Sequence, residues 1–115
     1  MTEPSTSPPE EGATSAAAVA DALSWSAADI ADDAKLEPLQ LTVAAVNEWV
    51  SRHATTGPYS RELGAKMLGA RLWRRRNSAD GVQTFTAEGV AYVQRNDPDI
   101  AMLLGIGSYA PPVVG

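Results

Sequence analysis

The stretch LEPLQLTVAAVNEWVSRH, residues 36–53, decides the fold. Leu36, Leu39, Val43, Val46 and Val50 recur at alternating spacings of 3 and 4, and Leu41, Ala45 and Trp49 form an adjoining i, i+4, i+8 line. On a helical period these positions make one broad apolar face, so the stretch reads as an amphipathic helix from about Leu36 to His53. Pro38 is expected in its first turn, where a missing N–H does no damage. Ala54-Thr55-Thr56-Gly57-Pro58 breaks the helix. Past the break, Ser60 is expected to cap a second long helix, from Arg61 to about Asn77. Leu63, Met67 and Ala70 form one line on it, with Ala65, Leu68 and Leu72 beside them. Gly64 and Gly69 lower helix propensity, and close approach of another helix is a reason to keep them. Two such helices joined by a short Gly-Pro turn predict an antiparallel hairpin with Val46 and Leu68 in the core.

Upstream of the hairpin the signals weaken. Residues 1–14, MTEPSTSPPEEGAT, hold Pro, Ser, Thr and Glu without apolar periodicity, and such a segment cannot offset its own ordering entropy. Ser15 can cap a short helix through AAAVADAL, and Ser26 another through AADIADDA. Downstream, Asn77-Ser78-Ala79-Asp80-Gly81 is a turn cluster. Val82–Phe85 and Val90–Val93 flank Thr86-Ala87-Glu88-Gly89, which permits a short β-hairpin near 82–93; a short helix from Thr86 competes with it. Asp97 is expected to cap a last helix that has Pro98 at its first position and ends at Gly105. The remainder, IGSYAPPVVG, is apolar and proline-containing, with no regular structure of its own. The fold class expected is therefore mainly α, a small helical domain over 26–105 with extended termini. Residues 1–25 form a flexible N-terminal arm, and 106–115 an extended docking tail through Ile106, Tyr109, Pro111, Pro112, Val113 and Val114.

Bulk properties bound the chemistry. A chain of 115 residues has room for one domain and one modest core. It contains no cysteine, which excludes disulfides, thiolate metal sites and a thiol nucleophile. The start of the sequence shows no basic patch followed by an apolar run, so no signal peptide is expected. No apolar stretch approaches the roughly 18–20 residues of a membrane span. The net charge of −5 conceals a division. Residues 1–50 carry nine acids against Lys35 alone, and residues 51–115 carry eight bases against five acids. Halves of −8 and +3 can attract each other within a monomer or between copies.

Each motif that invites chemistry has a plainer reading. His53, the single histidine, sits at an expected helix end, where an imidazolium meets the helix dipole favourably. No nucleophile-elbow sequence accompanies it. Asp97-Pro98-Asp99 has the spelling of a metal-binding acid pair, and helix capping is expected to explain both acids. Gly105-Ile106-Gly107-Ser108-Tyr109-Ala110 spells a dinucleotide loop, but Pro111-Pro112 blocks the helix such a loop requires. No cofactor is expected. Trp73-Arg74-Arg75-Arg76 invites a nucleic-acid reading, with the arginines on phosphates and the indole stacking on a base. Arginines in a last helical turn also favour its negative end without any ligand. Arg71, Arg74, Arg75 and Arg76 are therefore candidates for a subunit interface or a DNA-facing surface.

Three stretches together resemble the head-to-tail adaptor (head-completion or connector) proteins of tailed bacteriophages, especially those infecting actinobacteria. They are Asp32-Asp33 leading into LTVAAVNEWV at 41–50, GAKMLGARLWRRRNSADGV at 64–82, and DPDIAMLLGIGSYAPP at 97–112. Their order and spacing carry the resemblance over about residues 26–112, and residues 1–14 lie outside it. The resemblance implies a structural virion protein with no catalytic residues, made in the host cytoplasm and placed at the portal vertex. There it implies a homo-oligomeric, dodecameric ring beneath the portal protein, docking the next connector or tail-terminator protein. Packaged DNA would pass through the ring without sequence-specific recognition, and no membrane is involved. The alternatives are a small helical DNA-binding regulator using Arg74–Arg76, or a tail-completion protein.

Overall fold

The computed structural model describes residues 12–75 and 89–111. Within them the chain is mainly helical: α1 (Ala16–Ala22), α2 (Ala27–Ala31), α3 (Asp33–His53), α4 (Pro58–Arg75), α5 (Val90–Asn96) and α6 (Pro98–Leu104), then a 3₁₀ turn at Gly107–Tyr109.

The N-terminal caps fall where serine spacing places them. Ser15 Oγ accepts from the Ala18 N–H at 3.1 Å, and Ser26 forms a reciprocal capping box with Asp29. Lys35 Nζ donates to Asp29 at 2.6 Å; that bond and those from Ser26 lower the Asp29 carboxyl to about 2. The second helix stops earlier than AADIADDA suggests, because Asp32 turns extended and caps α3 through the Ala34 N–H at 3.0 Å. This cap starts α3 at Asp33 instead of Leu36 and moves Pro38 into the second turn, inside the helix. There the proline removes the N–H that would have met the Ala34 carbonyl. The start of α4 is also corrected. Pro58 is its first residue and Ser60 lies within its first turn; the Arg61 N–H already bonds the Gly57 carbonyl at 2.9 Å.

The hairpin forms as expected, and α4 is its hub: α3, α1 and α6 all pack on it. Val46 and Leu68 are buried in the main core with Val50, Ala65, Leu72, Val93, Ile100 and Leu104. A second cluster joins Val19 and Ala20 of α1 to Leu39, Val43 and Ala70. Gly64 and Gly69 explain themselves. A Cβ on Gly64 would lie 2.7 Å from Leu104 Cδ2, and one on Gly69 would lie 3.2 Å from Val19 Cγ2. Of the adjoining line on α3 only Trp49, half-buried, packs against the main core; Ala45 is exposed and Leu41 is 68% exposed.

Three expectations for the rest of the chain are corrected. Val90–Val93, one arm of the possible β-hairpin, is the first turn of α5, with Tyr92 and Val93 buried; 82–88 lie outside the described residues. The 1–25 arm is too long, since Thr14, Val19 and Ala20 are buried against the hairpin. Asn47 accepts from the Thr14 N–H at 3.0 Å and donates to its carbonyl at 2.8 Å, anchoring the segment before α1. The 106–115 tail likewise begins too early: Ile106 is 2% exposed within the main core, and the next residues make a 3₁₀ turn.

The break between α3 and α4 has a second task. The last carbonyls of a helix lack intrahelical donors. Those of α6 receive them from this connection: Thr55 N–H to Leu104 O at 2.9 Å, Thr55 Oγ1 to Gly105 O at 2.6 Å and Thr56 Oγ1 to Leu103 O at 2.6 Å. Gly105 closes α6 in the left-handed conformation with φ 65°.

Candidate functional site

Arg71 and Arg75 are one turn apart near the end of α4, so both side chains leave the same face. α6 packs against α4 with its first turn beside these arginines. The result is a four-residue ion cluster. Arg71 Nη1 donates to Asp97 Oδ1 at 3.0 Å and to Asp99 Oδ1 at 2.8 Å, while its Nη2 reaches Asp99 Oδ2 at 2.7 Å. Arg75 grips Asp97 with both terminal nitrogens, at 2.7 and 2.8 Å, and its guanidinium lies 5.8 Å from the centre of the Tyr92 ring.

The Asp97 side chain is 2% exposed, and those of Arg71 and Arg75 are each 30% exposed. Burial alone would raise the Asp97 carboxyl; hydrogen bonds from Arg75 and Arg71 more than offset that and hold it below its ordinary value. Hydrogen bonding from Arg71 likewise lowers Asp99. Capping does not explain Asp97, whereas Asp99 lies in the first turn of α6 and its carboxylate also receives backbone N–H bonds there. Asp97 occupies the position before α6 but makes no side-chain cap bond, because its carboxylate oxygens point to the arginines. Among the described residues no group of three or more His, Cys, Asp or Glu side chains is placed to hold a metal ion.

The four candidate arginines are thus separated by the structure. Arg71 and Arg75 hold α6 on α4. Arg74 is exposed on another face and donates to the Ala22 carbonyl at 3.3 Å. Arg76 lies outside the described residues. Trp73 meets Trp25 edge to face, with ring centres 5.8 Å apart, so its indole is committed to the α1 side. His53 Nδ1 is 2.9 Å from the Trp49 carbonyl and its ring stacks on the Trp49 indole at 4.6 Å. A carbonyl only accepts, so Nδ1 carries the proton there.

Of the six tail candidates, Ile106 is core, Tyr109 is 45% exposed and Pro111 is exposed. Pro112, Val113 and Val114 lie outside the described residues. A cleft of about 140 Å³, lined by Gly12, Asn47, Glu48, Ser51 and Arg61 among others, is smaller than the roughly 300 Å³ at which small-molecule sites begin. Among the described residues no helix is long and apolar enough to cross a membrane.

The residues missed in the sequence are the acid partners and the clamp. Two arginines at i, i+4 and two acids at i, i+2 were the available signal for the ion cluster. Nothing local in the sequence marks Asn47 as a backbone clamp for Thr14, 33 positions away. No protein-family model, curated protein or solved structure matches this chain.

Proposed function

We propose that this chain is a structural assembly protein of a tailed phage, forming a homo-oligomeric ring between the capsid portal and the tail and extending the DNA channel. The resemblance of residues 26–112 to head-to-tail adaptors supplies the identity of the assembly. The observation that carries assembly on physical grounds is the distribution of exposed apolar side chains. Tyr59 is 88% exposed, Leu41 68%, Met102 57% and Leu63 43%. They lie on α3, α4 and α6, so several elements keep an apolar side chain available to a neighbour. A subunit with neighbours on two sides and a ring above or below needs such area on several faces.

The DNA-binding regulator draws less support. A phosphate-binding cluster needs free cations, and Arg75 is held by Asp97 while Trp73 packs against Trp25. Tail completion differs only in the neighbour met. Two measurements test the proposal: gel filtration of the purified chain beside a salt-dependent DNA-binding assay, and localisation of the protein in intact virions. An oligomer that binds DNA weakly, and a position at the portal vertex, are the expected results. A monomer with tight DNA binding would replace the proposal with the regulator.

A further inference from the structure

The two long helices each keep one outward row of side chains, and the rows differ in sign. On α3 the buried row is Leu39, Val43, Val46 and Val50. Asp33, Glu37, Leu41, Ala44, Glu48 and Arg52 follow one another at spacings of 3 and 4, so they share a different face, and all six are exposed. Three acids against one base leave this row at −2, with Leu41, 68% exposed, among them. On α4, Tyr59, Leu63, Lys66 and Arg74 recur at spacings of 4, 3 and 8, again on one face. Tyr59, Leu63 and Arg74 are exposed and Lys66 is half-buried. Two bases and no acid give this row +2; the exposed Glu62 lies about 100° round the helix from Leu63. The charges of both rows are largely unspent. Glu48 meets Arg52 at 3.6 Å, and among the described residues Asp33, Glu37, Lys66 and Arg74 enter no ion pair. Arg74 reaches the Ala22 carbonyl, a neutral acceptor that leaves its charge uncompensated.

Between two copies of this chain, like rows repel and unlike rows attract. The apolar members supply what charge alone does not: Leu41 in one row, and Tyr59 and Leu63 in the other, can exclude water from the middle of a contact. Ala44, beside Leu41, is small enough for a large side chain such as Tyr59 to lie over it. We infer that the acidic α3 row of one copy receives the basic α4 row of a second copy. The two rows are different surfaces, so every added copy still offers one free row of each kind. Such a heterologous contact continues until the last copy meets the first and a ring closes. This inference rests on the assembly reading and names the two surfaces that join the copies.

The test reverses each row in a separate full-length chain. Glu37→Lys with Glu48→Lys turns the α3 row from −2 to +2, and Lys66→Glu with Arg74→Glu turns the α4 row from +2 to −2. Circular dichroism and thermal melts check that both chains fold, and native mass spectrometry at low ionic strength reads their assembly beside the wild type. Each variant alone then holds two rows of like sign and is expected to lose the oligomer. Mixed in equal amounts, the two should regain it, with both chains present in equal numbers. In the mixture each reversed row meets the other variant's reversed row, and each native row meets a native one. Either variant assembling alone like the wild type, or a mixture that stays monomeric, would overturn the contact while leaving assembly standing. A wild type that is monomeric under the same conditions would overturn both. Should a reversed chain fail to fold, Leu41→Cys and Leu63→Cys are introduced singly into separate chains, which hold no native cysteine, and the mixed oligomer is treated with a short bis-maleimide. A crosslink between unlike chains is expected, and its absence overturns the contact.

Discussion

Asp97 is the one buried acid among the described residues, and two arginines from α4 close on it. Asp97→Asn keeps the shape but takes the counter-charge from Arg75 and leaves Arg71 with Asp99. Breaking a fully buried pair costs about 3–5 kcal/mol; with the arginines each 30% exposed, about 2–4 kcal/mol is expected from denaturant titration. The pH dependence follows from the direction of the shifts. Asp97 and Asp99 are both lowered in the folded state, so their stabilisation is fully present above the unfolded carboxyl value of about 3.9 and is lost as pH falls through the lower folded values. Thermal melts should be flat down to about pH 5 and decline below about pH 4, with a shallower decline in Asp97→Asn. The arginines also divide by role. Arg75→Glu should unfold the domain by placing an acid against Asp97, whereas Arg74→Glu should leave the melt near wild type and weaken assembly, measured by sedimentation. Folded, non-assembling Arg75→Glu would contradict that division. At this scale the sequence was only half legible: the arginines stood out as a cluster, but their partners lie more than twenty positions away, and a helical hub was needed to bring them together.

At the scale of elements, periodicity was a good guide wherever a helix had one buried face. Leu39, Val43, Val46 and Val50 are all buried, as their 3-4 spacing requires. The second line through Leu41 and Ala45 shows the limit, since apolar spacing cannot tell a face covered by the same chain from one left for a partner. Boundaries were set by capping competition instead: Asp32 and Pro58 act closer to the helix starts than the residues first expected there. Val90–Val93 could not be assigned from local propensity, because a short β-branched run suits a strand and a buried helical turn alike. Gly64 is a direct test of the packing between α4 and α6. Alanine would gain helix propensity of about 1 kcal/mol, but its Cβ would sit 2.7 Å from the fully buried Leu104. Overpacking of about 1–3 kcal/mol should prevail, so Gly64→Ala is expected to lower the melting temperature. The end of the chain is tested separately. Deleting residues 108–115 spares Ile106 and removes only residues that are exposed or outside the described structure, so the melt should move little while capsid attachment is lost. A deletion that unfolds the domain would place the tail within the fold.

At the scale of the whole molecule, a small helical hub buries two clusters, one at the start of the buried face of α3 and one toward its end, and leaves Leu41, Tyr59, Leu63 and Met102 in contact with solvent. Lys35 pairs with Asp29 inside the acidic first half, Arg71 and Arg75 pair with Asp97 and Asp99 inside the basic second half, and Arg52 with Glu48 at 3.6 Å crosses between the two. Self-assembly is best checked by native mass spectrometry of the full-length chain across a range of concentrations. One discrete closed oligomer that persists on dilution and loosens at moderate salt is expected; a monomer at every concentration, in low salt and high, would overturn self-assembly.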